Sequence, residues 1–259
     1  SLYAMVCGYM YYYQEKMIFQ ATREIKQTPT DFGLDYIDLT LTTSDKVKIN
    51  AWYVPIANSK LTVLFFHGNT GNMGDTAVTF KMFHQIGISC LMIDYRGYGN
   101  SSGEPSESGS YLDGDAAWHY LLDEIQLKPE QVVLVGRSLG GGVATELATR
   151  YECRALVLES TFTTMPAIAK DVHPFMPAFW LIKHEYNNLL KIHDIKCPVL
   201  IIHSKEDKYI DISHARKLYR SLKRTSKKKF IEMTGDHGEG YIQSGEIYTD
   251  ALRDFIQTL

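Results

Sequence analysis

At residues 132–142 the chain reads Val-Val-Leu-Val-Gly-Arg-Ser-Leu-Gly-Gly-Gly. An apolar run enters Gly136-Arg137-Ser138-Leu139-Gly140 directly, and a helical pattern follows over 139–151. The segment predicts a strand that turns abruptly into a helix, because the glycines flank the serine where side chains would not fit. Such a turn lifts the Ser138 hydroxyl out of a sheet. It also sets that hydroxyl at a helix N-terminus, where the dipole favours developing negative charge. A glycine-rich turn with an ordinary capping serine is the competing reading, and the strand–turn–helix context weighs against it.

Around that turn the chain alternates. Runs 61–66, 88–93, 132–135, 155–158, 199–202 and 230–233 are short and dominated by apolar residues, which suits strands buried on both faces. Helical spacing separates them. Val78, Met82, Phe83 and Ile86 recur within 76–86, and Ala116, Trp118, Leu121, Leu122 and Ile125 within 112–125; helices over 139–151, 212–222 and 247–256 follow. The alternation implies βαβ units, an α/β class and a mainly parallel sheet with helices on both faces. Ahead of it, 36–42 and 47–54 alternate apolar and polar residues, predicting an antiparallel pair that turns at Ser44 and Asp45. A chain of 259 residues, 45% hydrophobic and 22% charged, is enough for one large domain and is not expected to be disordered.

Two segments depart from the rhythm. Residues 160–198 are too long for an ordinary connection and dense in aromatics and prolines, among them Phe162, Pro166, Pro174, Phe175, Pro177, Phe179 and Trp180. They predict a cap inserted over about 161–197, above the carboxyl end of the sheet. Residues 1–20 form an aromatic segment before the domain of 21–259. Ser1 stands where an initiator Met is expected, which suggests a processed or truncated chain. The stretch 2–19 is apolar and rich in tyrosine but broken by Gln14, Glu15 and Lys16, so it is too short and polar to span a bilayer. It reads either as a helix packed on the domain or as the juxtamembrane end of an anchor lying upstream. The second reading carries an expectation of membrane association through the N-terminus.

A net charge of −3 recruits no polyanion, and no nucleic-acid module is present. Lys227, Lys228 and Lys229, preceded by Lys223 and Arg224, read as a solvated loop entering a strand, with a phosphate or lipid-headgroup contact as the alternative. Cys7, Cys90, Cys153 and Cys197 show neither metal-ligand spacing nor a disulfide pattern, and Cys90 and Cys197 are expected as buried thiols. With no dinucleotide fingerprint or P-loop, no cofactor and no metal are expected.

Serine needs a base, and nine histidines compete. His237 follows the last apolar strand between Gly235 and Gly238, where a loop can swing an imidazole over Ser138. His203 ends a buried run and is expected to pack or to bond to backbone. His84, His119, His173, His184, His193 and His214 lie on expected helices or in the cap. The base needs a carboxylate to set its tautomer, and Asp207, just past a strand end, is the choice over Glu206, Asp211 and Glu159. The chain order Ser, Asp, His agrees with the strand–turn–helix serine motif. For an oxyanion hole the expected donors are the backbone amides of Leu139 and of Asn69, with Thr70 as fallback; Gly68 lets the backbone approach. His67 belongs to this loop. The segment 93–103 reads as a scaffold, with Tyr95 or Arg96 facing substrate as the alternative.

Together, His67-Gly-Asn-Thr-Gly-Asn72, Asp94-Tyr-Arg-Gly-Tyr-Gly99 and Gly136-Arg-Ser-Leu-Gly-Gly141 resemble the α/β-hydrolase superfamily. Within it the chain is similar to the bud-emergence-type abhydrolases, neighbours of the serine aminopeptidase and prolyl-oligopeptidase-like hydrolases. The resemblance runs from about Met17 to the end. It implies the α/β-hydrolase fold, a triad of Ser138, Asp207 and His237, oxyanion donors at Asn69 and Leu139, and an N-terminal membrane anchor. It implies no single substrate. Three functions are therefore weighed. An esterase or thioesterase for an apolar, lipid-like acyl group suits an aromatic cap. An aminopeptidase would draw on cap carboxylates such as Asp171, Glu185 and Asp194. A non-catalytic receptor on the same fold is the third, and the complete triad argues against it.

Overall fold

The computed structural model describes residues 2–175, 181–225 and 227–259. Met176, Pro177, Phe179 and Trp180 of the expected cap, like Ser1, lie outside the described residues.

Eight strands build one sheet: β1 (Ile37–Thr42), β2 (Lys48–Val54), β3 (Thr62–Phe66), β4 (Ser89–Ile93), β5 (Val132–Arg137), β6 (Ala155–Glu159), β7 (Val199–Ser204) and β8 (Lys228–Met233). Their spatial order is β8-β7-β6-β5-β3-β4-β2-β1. The alternating pair β1 and β2 is antiparallel, with Ile37 opposite Tyr53, and β2 runs antiparallel to β4. Every other pairing is parallel. The sheet is thus mostly parallel, as the apolar runs imply.

Each central strand is buried on both faces, and its residues alternate between two cores. Leu64, Phe66, Leu134, Leu156 and Ile201 point to one side, where α3 (Glu107–His119), α4 (Gly140–Arg150) and α6 (Ser213–Ser221) supply Trp118, Leu147 and Leu218. Val63, Phe65, Val133, Val157 and Leu200 point to the other, against Phe80 of α2 (Val78–Gln85) and Phe255 of α7 (Glu246–Gln257). A period of two along each strand is what divides one apolar run between two layers.

Element ends move where capping and pairing override apolar spacing. The helix expected over 112–125 starts earlier, at Glu107, because the Ser106 hydroxyl accepts the Gly109 N–H and caps it. It leaves α-helical geometry after His119 and continues as a π turn over Tyr120–Glu124. Strand β5 runs two residues past the expected 132–135, since Gly136 pairs with Phe66 and Leu158 and Arg137 with Glu159. Lys228 and Lys229 sit inside edge strand β8, where lysines discourage pairing with another chain. All four cysteines are free; Cys90 is buried as expected, but Cys197 is only half-buried.

The segment after β4 is a scaffold, and the substrate-facing alternative for Tyr95 and Arg96 is corrected. Both are buried. The Arg96 guanidinium bridges Asp113 (2.9 Å) and Asp45 (2.8 Å), while the Tyr95 hydroxyl donates to the His67 carbonyl (2.8 Å).

Above the carboxyl ends of the strands lie two further helices. One is α5 (Met165–Val172), capped by the Thr164 hydroxyl. His214 of α6 holds its base: Nδ1 accepts the Thr163 N–H (3.1 Å), and Nε2 lies 2.9 Å from Asp171 Oδ2. The other is α1 (Leu2–Ile18), which packs its Gln14 against the chain at Leu181 and Lys183. Among the described residues no helix is long and apolar enough to cross a membrane.

Candidate active site

The turn after β5 puts Ser138 at φ +52°, a left-handed conformation that costs a non-glycine residue about 1–3 kcal/mol. Neighbouring bonds hold it there. The Ser138 N–H donates to the Glu159 carbonyl (2.9 Å), and its own carbonyl accepts from Thr161 Oγ1 (2.7 Å) and the Gly141 N–H (3.0 Å). The flanking glycines are required by close approach. A Cβ on Gly140 would strike the Phe66 carbonyl, and one on Gly136 would lie 2.6 Å from the Gly141 Cα.

The loops after β7 and β8 bring the other two candidates to this serine. His237 Nε2 lies 3.0 Å from Ser138 Oγ, and its Nδ1 lies 2.7 Å from Asp207 Oδ2. A carboxylate beside Nδ1 assigns the proton to that nitrogen and leaves the Nε2 lone pair facing the serine hydroxyl. Asp207 is itself well held. Its Oδ1 accepts the N–H groups of Tyr209 (3.0 Å) and Ile210 (2.8 Å). Burial works to raise its pKa, but the His203 and His237 rings and the Ile210 amide outweigh it, and the carboxyl sits well below the usual carboxylate range.

The rejected carboxylates have other partners. Glu159 pairs with Arg137 (2.7 Å) and accepts the Tyr248 hydroxyl (2.8 Å). Glu206 accepts the Gly235 N–H (2.9 Å) and so shapes the histidine loop. Asp211 takes the Ser213 N–H at the start of α6. His203 bonds to the Ile210 carbonyl (2.8 Å), a structural place. His67 is buried, its ring against Tyr95 and its Nε2 3.2 Å from Asp94 Oδ1.

Gly68 brings the loop after β3 against Ser138, with space for its Cβ only 3.5 Å from the Ser138 Cβ. The Asn69 carbonyl is turned away, accepting the Gln20 N–H (3.0 Å) and the Tyr98 hydroxyl (2.7 Å), and the Asn69 side chain donates to the Ile18 carbonyl (2.8 Å). Among the described residues, no protein acceptor takes the N–H of Asn69 or of Leu139. Thr70 instead enters a two-residue parallel bridge with Gln20.

Ser138 and Leu139 open into a cavity of about 140 Å³. Its lining is mainly apolar: Met165, Ile168 and Val172 from α5, and Met10, Met17 and Ile18 from α1. The packed helix is one of the two readings the sequence allows for 2–19, but its part in walling the cavity was not foreseen. The one signal available was Gln14, an amide lying on the same helical face as Met10 and Ile18. Tyr209, whose ring centre is 5.3 Å from that of His237, was also unforeseen. Among the described residues no cluster is spaced to hold a metal ion.

Comparison with known proteins bears on the family and the fold. The family described as serine aminopeptidase, S33, matches residues 57–191. An uncharacterized membrane protein of Saccharomyces cerevisiae is 35% identical over 95% of this chain and 90% of its own length. Protein bem46 of Schizosaccharomyces pombe is 31% identical over 96% of this chain and 87% of its own. Among solved structures, an esterase from Pyrococcus furiosus superposes with a TM-score of 0.79 at 21% identity, covering 92% of this chain and 98% of that one. An acylaminoacyl peptidase from Pyrococcus horikoshii superposes with a TM-score of 0.67 at 16% identity, covering 87% of this chain and 41% of that one. At those identities the solved structures speak for the fold.

Proposed function

The chain belongs to the α/β-hydrolase superfamily, on its bud-emergence-type branch, and from that premise we propose that it is a serine hydrolase cleaving a carboxylic ester or thioester with an apolar acyl group. The supporting observation is the line from Ser138 Oγ through His237 to Asp207, at 3.0 and 2.7 Å, with Ser138 lining an apolar cavity.

In this reading Ser138 attacks the acyl carbonyl as His237 Nε2 takes its proton. The tetrahedral oxyanion lies against the amides of Leu139 and Asn69, and the N-terminus of α4 adds its dipole. His237 then protonates the leaving alcohol or thiol, and an acyl-enzyme remains. Water activated by the same imidazole releases the acid. Asp207 stays ionised throughout and steadies the imidazolium.

A peptidase reading draws on the description of the matching family. A free substrate amine would need a carboxylate at the cavity. Asp171 is occupied with His214, Asp194 pairs with Arg224, and Glu185 is not among the lining residues. These observations favour esters. A fluorophosphonate probe is expected to label Ser138, and p-nitrophenyl esters to turn over faster than aminoacyl-nitroanilides. The reverse ranking would make the protein a peptidase. A folded protein that takes no label and turns over neither would not be an enzyme of this kind.

We also propose that the N-terminus associates with a membrane surface. The outward face of α1 exposes Tyr9 and Tyr12, amphipathic aromatics of the kind that favour a membrane–water interface, with Met5 beside them. The yeast relative is described as a membrane protein. The protein should float with phospholipid vesicles in a gradient, and Tyr9→Ser with Tyr12→Ser should release it. Wild-type protein that stays at the bottom of the gradient excludes the association.

A further inference from the structure

We propose that α1 is the wall that measures the acyl chain, with Met10 setting the length the site accepts; the assignment rests on the esterase reading above. The inward stripe of α1 is Cys7, Met10, Gln14 and Ile18, spaced three and four residues apart and so sharing one helix face. Met10, Met17 and Ile18 line the cavity into which Ser138 opens, and α5 supplies Met165, Ile168 and Val172 to the same lining.

Two polar anchors hold this wall. Gln14 is 7% exposed, and its side chain is fully used: Nε2 donates to the carbonyls of Tyr11 (2.8 Å) and Leu181 (3.2 Å), and Oε1 accepts the Lys183 N–H (2.7 Å). Withdrawing α1 would strand that amide and its partners, so the helix stays seated. At its C-terminal end the Ile18 carbonyl accepts from Asn69 Nδ2 (2.8 Å), the side chain of the candidate oxyanion loop. The wall therefore begins beside the reacting carbonyl and runs away from it.

Length follows from this geometry. An acyl chain carried on Ser138 enters this cavity and runs along α1. The helix rises about 12 Å between Ile18 and Met10. An extended chain advances about 1.2 Å per bond, a third of the span of one residue, so about ten carbons reach Met10. Methionine suits such a boundary, because its unbranched thioether adapts to a flexible chain.

The test is kcat/KM on a series of soluble p-nitrophenyl esters from acetate to laurate. Met10→Trp should lower the ratio of decanoate to butyrate activity about tenfold or more, the scale on which a pocket rejects excess methylenes. Met10→Ala should raise the relative activity on laurate. Lys16→Ala, an exposed change on α1 away from the cavity lining, should leave the profile where it is. An identical chain-length profile in wild type and both Met10 variants, with turnover intact, overturns this assignment alone. A folded wild-type protein that turns over no ester at all overturns the esterase reading and takes this one with it.

Discussion

Ser138→Ala should reduce ester turnover by roughly 10⁶-fold, the loss found when the nucleophile is removed from a serine–histidine–aspartate unit. The expectation follows from geometry. Ser138 Oγ is the atom that faces His237 Nε2 at 3.0 Å, and no second hydroxyl shares that imidazole among the described residues. Asp207→Asn should cost about 10⁴-fold, because an amide in place of the carboxylate favours the wrong imidazole tautomer. Both variants should keep the fold. The serine hydroxyl makes a single bond within the protein, so its loss should move the melting temperature by less than about 4 °C in a domain this large. Ester turnover in purified Ser138→Ala above about a hundredth of the wild-type rate would remove Ser138 from the nucleophile's place.

Arg137→Met is expected to have the largest effect on stability. Arg137 and Glu159 are both almost fully buried, and their bidentate pair (2.7 and 3.2 Å) lies directly under the Ser138 turn. The guanidinium also stacks on Tyr241, 3.4 Å from the ring centre. Removing it leaves the Glu159 carboxylate in the core with only the Tyr248 hydroxyl, and breaking such a pair from one side costs about 3–5 kcal/mol. In a domain of this size that lowers the melting temperature by roughly 6–20 °C. Replacing both partners, Arg137→Met with Glu159→Leu, should recover more than half of the loss, because no unpaired charge remains. Thermal scans of the two single variants and the double variant at one heating rate check this. A single variant that melts with the wild type would show that the pair carries no net stability.

The parts of this molecule that were legible before the structure are those written in short windows. All six apolar runs became parallel strands, and for the five inside the sheet burial on both faces leaves no polar alternation to confuse them. The Gly136 to Gly140 turn was legible because a strand, a tight turn and a helix occupy adjacent residues. The start of α3 was not, since residues 107–111 carry few apolar side chains and the deciding signal was the Ser106 cap. The Arg137–Glu159 pair was missed for a different reason. Its partners are unremarkable singly, and only the register of β5 beside β6 sets them opposite one another. The contribution of α1 was hidden because tyrosines and methionines surround that helix, and an inward stripe cannot be told from an outward one until something packs against it.

By itself the amino-acid order determined the class of fold and the chemistry on offer: a serine at a strained turn, and acids and imidazoles just past strand ends. Those properties depend on backbone dihedrals and on periodicities of two and 3.6 residues, which are local. Tertiary structure alone decided which groups meet. Ser138 and His237 are 99 positions apart and touch because β5, β6, β7 and β8 lie side by side with their carboxyl ends level. The same holds for the cavity, closed by a helix from the start of the chain against one from its middle, since side-chain contact over such separations is set by packing and not by neighbourhood along the backbone.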